Sequence, residues 1–146
     1  MGDMSWMRRF PRFRDLTDDE LSKIGDKCVE ELFVKDEDIV TEGDARNPGM
    51  FFVKSGSAKV VVKARGGARS VEFLRAGDTF GEMTMIEPEM ARSASVVTLD
   101  RTRVSFLPAR DYERLKRESP VTAFRLLEVI IRSLSARLRD RTKMIP

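Results

Sequence analysis

Residues 80–96 read Phe80-Gly81-Glu82-Met83-Thr84-Met85-Ile86-Glu87-Pro88-Glu89-Met90-Ala91-Arg92-Ser93-Ala94-Ser95-Val96, and this stretch decides how the chain is read. A Gly–Glu pair leaves a turn and opens a short helical turn, where an acidic side chain is favoured by the helix dipole. A loop carrying Pro88 follows, and Arg92 then begins a strand. Glycine lets backbone come close to a bound group. A guanidinium presents a rigid fork of donors that matches two oxygens of a phosphate. Each residue also has an ordinary reading, Glu82 as a first-turn acid and Arg92 as a surface residue at a strand start.

On both sides of this stretch the pattern is that of short strands. Leu32–Val34, Ile39–Thr41, Met50–Val53, Ala58–Lys63, Ser70–Leu74, Ser93–Thr98 and Arg103–Leu107 are rich in β-branched and aromatic residues. Turn sequences separate them: Glu42-Gly43-Asp44, Asn47-Pro48-Gly49, Ser55-Gly56-Ser57, Arg65-Gly66-Gly67 and Ala76-Gly77-Asp78. Short strands at regular spacing with glycine turns predict a barrel or a sandwich. Gly66-Gly67 suits a tight hairpin connection that needs positive φ.

The two ends of the chain read as helical. Thr17-Asp18-Asp19-Glu20 has capping-box spacing, and Leu21, Ile24 and Cys28 follow on one stripe, predicting a helix over residues 17–30 with Cys28 buried on it. Ahead of it, Trp6, Phe10 and Phe13 alternate with arginines and read as a staple for a terminal arm. Residues 108–118 predict a short helix. Pro120 then opens a longer one over about 121–143, at the first-turn position that proline favours. In that helix Phe124, Leu127, Ile131, Leu134 and Leu138 fall at 3-4-3-4 spacing, a seam of about two and a half heptads. Leu126 and Ile130 widen it, so that one face suits the chain's own core and another a partner.

Composition narrows the chemistry. The 146 residues contain no histidine and one cysteine, which removes His-based catalysis, a Cys-rich or His-ligated metal site and an internal disulfide. The lone cysteine fits a reducing cytoplasm. No apolar run is long enough to span a membrane, and no secretory h-region follows the first basic residues. The net charge of +3 hides an asymmetry. Residues 1–100 carry 15 Lys and Arg against 19 Asp and Glu, whereas residues 101–146 carry 12 against 5. The basic end reads as a solvated helix face, with an anion-binding or nucleic-acid role for Arg132, Arg137, Arg139, Arg141 and Lys143 as the alternative.

Taken whole, FGEMTMIEPEMARSASV resembles the phosphate-binding cassette of the cyclic nucleotide-binding domain family. The resemblance continues upstream through LTDDELSKI, the TEGD turn, MFFVKSGSAKVVV and FLRAGDTFGE, and downstream through FLPARDYERL and the last helix. It implies a mainly β fold with flanking helices: an eight-stranded jelly-roll barrel, an N-terminal helix and a C-terminal helix pair. Residues 1–146 would form one such domain. Its arm and first helix would span 1–30 and its β-roll 31–107, with the cassette at 80–95; the C-terminal helices would span 108–146. The implied ligand is a cyclic purine nucleotide, with cAMP favoured over cGMP, and no metal. Arg92 would hold the cyclic phosphate, helped by Ser93 and Ala94. Glu82 would accept from the ribose 2′-OH, and Gly81 and Met83 would line the same turn. Val60 and Val71 would wall the purine, and Ser133 and Arg137 of the last helix would approach it from the other side.

Three positions depart from the family pattern. Thr84 stands where a small Ala, Gly or Ser is usual and is expected to crowd the cassette helix. Ala91 replaces a frequent proline, and Asp36-Glu37 fills a turn where glycine is usual. In the branch that regulates transcription the last helix leads to a DNA-reading module, and here the sequence ends after that helix. The expectation is therefore a non-enzymatic sensor in the cytoplasm. It would be a homodimer through the Phe124–Leu138 seam and act on an unidentified output protein. A scaffold of the same fold without nucleotide, and a nucleic-acid binder, are the alternatives.

Overall fold

The structure, a computed structural model, describes residues 5–143, with side chains as far as residue 140. Of the basic set at the C-terminal end, the Arg141 and Lys143 side chains lie outside the described residues. The chain divides into two compact units. One contains the residues up to 26 together with those from 113 onward, and the other contains residues 27–112.

The second unit holds eight strands: β1 (Val29–Phe33), β2 (Asp38–Val40), β3 (Gly49–Ser55), β4 (Ser57–Ala64), β5 (Gly67–Arg75), β6 (Thr79–Phe80), β7 (Ser95–Thr98) and β8 (Thr102–Pro108). They form two four-stranded sheets, in the orders β1-β8-β3-β6 and β2-β7-β4-β5, with every pairing antiparallel. The expected eight-stranded jelly roll is thus built as an open, sandwich-like pair of sheets. Its core takes Phe51, Val53 and Val104 from one sheet and Ala58, Leu74 and Val96 from the other, with Phe80 of β6. Fully burying such a side chain contributes roughly 1.5–3 kcal/mol. The Phe51 ring stacks on Phe80 with centroids 4.8 Å apart and tilts against Phe106 at 4.5 Å. The five residues Gly49–Val53 of β3 are all buried, which fits the position of this strand between β8 and β6.

Three sequence expectations are corrected here. The first helix, α1, runs over Asp18–Gly25 and does not reach residue 30. Gly25 is a poor helix interior residue, and Val29–Phe33 pair residue by residue with β8, so tertiary pairing claims them. Cys28 accordingly sits just before β1 and on no helical stripe. Although the residue keeps some exposed surface, burial of the thiol pushes its pKa up to about 12 against a partial opposing effect of a hydrogen bond with Ser105, which makes it a poor nucleophile. β6 passes unnoticed in the sequence because it is two residues long. β7 begins at Ser95, so Arg92 lies in the extended segment ahead of the strand. Elsewhere the hairpin between β4 and β5 turns on Arg65-Gly66, with Ala64 paired to Gly67 and both glycines at positive φ. Asp36, at the turn where the family carries glycine, has φ of 65°. That is a left-handed conformation, which aspartate tolerates better than most residues.

In the other unit the capping box of α1 is complete. Thr17 Oγ1 accepts from the Glu20 amide at 3.1 Å, and Glu20 Oε1 accepts from the Thr17 amide at 2.9 Å. The same carboxylate pairs through Oε2 with Arg125 Nε at 3.2 Å. Arg125 lies on the long helix α4 (Pro120–Lys143), and α4 packs on α1 and on a 3-10 turn at Pro11–Phe13. Met7, Phe10 and Phe13 are buried, and edge-to-face contacts join Trp6 to Phe10 and Phe10 to Phe13. The arm is the expected aromatic staple. A shorter helix, α3 (Ala109–Glu118), precedes α4, and proline opens α4 as the sequence predicts. Among the described residues no helix is long and apolar enough to cross a membrane.

Candidate functional site

The cassette folds as the sequence suggests. After β6 the chain turns at Gly81, whose φ of 81° suits glycine, and enters the single-turn helix α2 (Glu82–Ile86). A Cβ at residue 81 would lie 2.6 Å from Arg92 Nη1 and 2.9 Å from the Gly49 carbonyl oxygen. Glycine is therefore needed for its space as well as for its torsion. Glu82 is buried and accepts from Thr79 Oγ1 at 2.7 Å. This bond sets the carboxylate beside the turn.

Arg92 is the centre of the cluster. Its backbone is clasped on both sides: the amide donates to Asp44 O at 2.9 Å, and the carbonyl accepts from Gly43 N at 2.8 Å. The residue is only 6% exposed. Nη2 donates to Asn47 O at 3.1 Å, Nη1 reaches Gly81 O at 3.4 Å, and Cζ lies 5.7 Å from the centroid of the Phe51 ring. Burial lowers its pKa, opposed by the fields of Asp44 and Glu82, and an arginine so shifted stays charged at neutral pH. Among the described residues no carboxylate stands within ion-pair distance of it, and its donors meet only neutral carbonyls. Asp44 is engaged instead by Arg46, at 3.0 Å from Nε and 3.1 Å from Nη2, and these bonds hold the Asp44 carboxyl below its usual range. A buried cation without a contacting anion is costly unless something compensates it.

The guanidinium forms part of the wall of a cavity of about 280 Å³ between the sheets, whose apolar side is Ile39, Val40, Phe51 and Phe106 and whose polar rim includes Asp44. Of the residues singled out from sequence, Arg92 alone lines it. Gly81 and Glu82 join Arg92 through the contacts above. Ser93 and Met83 are exposed and Ala94 is half-buried, all on the same cassette. Val60 is half-buried and packs on the core, while Val71 is the extra residue of a bulge, since Val60 pairs with Glu72 and Val61 with Ser70. Ser133 and Arg137 are half-buried on α4, in the other unit. The sequence reading passed over Asn47, Gly49 and Phe51. Asn47 bears on Arg92 through its carbonyl, Gly49 on the turn through its backbone and Phe51 on Arg92 through its ring; a side-chain motif carries no sign of the first two.

Thr84 does not crowd α2. It is buried, and its hydroxyl accepts from the Gly49 amide at 3.0 Å, with the carbonyl oxygens of Gly81 and Gly49 at 3.2 and 3.3 Å. Among the described residues there is no cluster of acidic or cysteine side chains suited to a metal ion.

Fold and cassette define a cyclic nucleotide-binding module. The profile of the cyclic nucleotide-binding domain family matches residues 30–119, and the chain belongs to that family. The Cyclic AMP receptor protein of Thermus thermophilus is 30% identical over 129 residues, covering 88% of this chain and 59% of that protein. Glutaminase 1 of Bradyrhizobium diazoefficiens is 34% identical over 132 residues, 90% of this chain and 20% of the enzyme. The chain thus spans just under three fifths of the first of these proteins and a fifth of the second. A crystal structure of a cyclic nucleotide-binding domain from Methylobacillus flagellatus KT superposes with a TM-score of 0.86 at 24% identity, covering 97% of this chain and 79% of that one.

Proposed function

We propose that this chain is a regulatory sensor for a cyclic purine nucleotide, cAMP in preference to cGMP, and that it performs no catalysis itself. The observation that carries the reading is Arg92, a buried guanidinium at the cassette that, among the described residues, hydrogen-bonds to two carbonyl groups alone. An anionic phosphate would supply the missing charge and the bidentate geometry that the fork favours. Gly81 gives the sugar close access to backbone, Glu82 accepts from the 2′-OH, and Met83, Ser93 and Ala94 complete the phosphate and ribose side. Val60, Val71, Ser133 and Arg137 serve the purine. The likeness to a protein named for cyclic AMP supports the ligand class. Calorimetry with cAMP, cGMP and 2′-deoxy-cAMP tests it. We expect saturable binding of cAMP, weaker binding of cGMP, and about tenfold weaker binding of the deoxy ligand through loss of one charge-assisted hydrogen bond. No heat with any of the three would leave a scaffold of this fold, and salt-dependent DNA binding would favour the basic helix as the working surface.

The same reading makes α4 the output element of a single cytoplasmic domain, moved by ligand and sensed by a partner protein. The buried side of α4 consists of Thr122, Ala123, Leu126, Val129 and Ile130. Phe124, Ile131 and Leu138 of the heptad seam are 61%, 57% and 67% exposed, with Leu127 and Leu134 half-buried between them. An apolar line of this kind, left over after the helix has packed, suits the same helix of a second copy. In sedimentation the parent is expected to run as a dimer and Ile131→Asp as a monomer with unchanged helicity. A parent that sediments as a monomer at high concentration, with and without nucleotide, removes the dimer.

A further inference from the structure

The oxygen of Thr84 stands where two backbone segments meet that the sequence keeps far apart. Gly49 opens β3, and its amide donates to Thr84 Oγ1 across 35 residues of chain. The opposing residue in the β8 register is Pro108, and the neighbouring peptide oxygen, Pro48 O, accepts from Ala109. The hydroxyl proton of Thr84 in turn faces Gly81 O, the carbonyl that also receives Arg92 Nη1, and Gly49 O, the atom that a side chain at residue 81 would strike. All these groups are buried or partly buried, where a hydroxyl that both accepts and donates satisfies polar atoms that would otherwise be costly. A small apolar residue at 84 would leave the Gly49 amide without this acceptor.

We propose that Thr84 is a positioning residue: its hydroxyl clasps the cassette to the start of β3, fixes the Gly81 peptide, and through that peptide holds the Arg92 guanidinium in place. The consequence for ligand binding rests on the nucleotide reading of the site, while the clasp itself does not.

Three variants test it. Thr84→Val keeps the branched shape and loses the oxygen, Thr84→Ser keeps the oxygen, and Thr84→Ala has neither. By amide hydrogen exchange, Gly49 N–H is expected to exchange about tenfold faster or more in the Val and Ala variants and near the parent rate in Ser, as loss of one buried hydrogen bond requires. The Arg92 side-chain N–H resonances should shift in Val and Ala and stay in Ser. Affinity for cAMP should fall about fivefold to tenfold in Val and recover in Ser. Parent-like protection of Gly49 in Thr84→Val overturns the clasp. Lost protection with unmoved Arg92 resonances overturns the link to Arg92. A parent that binds no cyclic nucleotide overturns the ligand reading alone, since exchange and resonance positions still decide on the clasp.

Discussion

Replacing Arg92 by alanine should abolish cAMP binding over the range in which the parent saturates, a loss of about 2–5 kcal/mol for removing one side of a desolvated charge pair. Arg92→Lys should be nearly as poor. A lysine ammonium is a strongly hydrated point charge and cannot reach Asn47 O and Gly81 O while also presenting a fork to the ligand. Titration calorimetry reads the loss directly. The effect on the fold has a different sign structure from that on binding. Removing the guanidinium relieves an uncompensated buried cation, yet it strips two carbonyls of their donor and leaves space beside Phe51. The two partly cancel, so the melting temperature should move far less than the affinity. An Arg92→Ala protein that binds cAMP as the parent does would remove Arg92 from the site.

The second large effect is at Gly81. Gly81→Ala forces a Cβ into a left-handed residue, at about 1–2 kcal/mol, and drives it against Arg92 Nη1 and the Gly49 carbonyl oxygen. The arginine tip can swing aside, but the carbonyl belongs to β3 and cannot. For a domain of this size each kcal/mol corresponds to roughly 2–4 °C in melting temperature. We expect a drop of several degrees together with loss of nucleotide binding, because the displaced guanidinium is the one that the phosphate needs. Gly81→Asn separates the two causes. Asparagine tolerates the left-handed torsion, so any loss of binding that survives in it is due to crowding. Binding unaltered in both variants would show that the turn plays no part in holding Arg92.

Much of this arrangement was legible because its signals are local. The capping box of Thr17 and Glu20, the proline that opens α4 and the glycine turns between β strands each need only a few neighbouring residues, and each stands where the sequence put it. The cassette was legible as a pattern of Gly81, Glu82 and Arg92. What escaped is non-local. The end of α1 depends on β1 being captured by β8, and β6 exists only because Phe51 and Phe52 offer it a partner. Thr84 looked like an intrusion as long as its neighbours were taken to be those of its own short helix; Gly49, the residue that uses its hydroxyl, is 35 positions away. Asn47 is 45 positions from Arg92 and acts through a carbonyl that every residue possesses, so no side-chain motif could have named it.

The division of the chain also sets an order of assembly. Residues 27–112 are contiguous, so their unit is complete as soon as β8 and the start of α3 have been synthesised. The other unit takes its parts from both ends: Arg125 must meet Glu20 and the carbonyl of Asp15, the latter 110 positions away in sequence. On the ribosome, domains fold in the order in which their residues emerge. The aromatic arm and α1 therefore emerge before residues 27–112 but settle after them, because the turn that carries Phe13 lacks its contact with α4 until that helix is made. A growing chain of this kind exposes its stickiest residues during synthesis, and the arginines spaced among those aromatics supply charge that keeps such nascent segments apart.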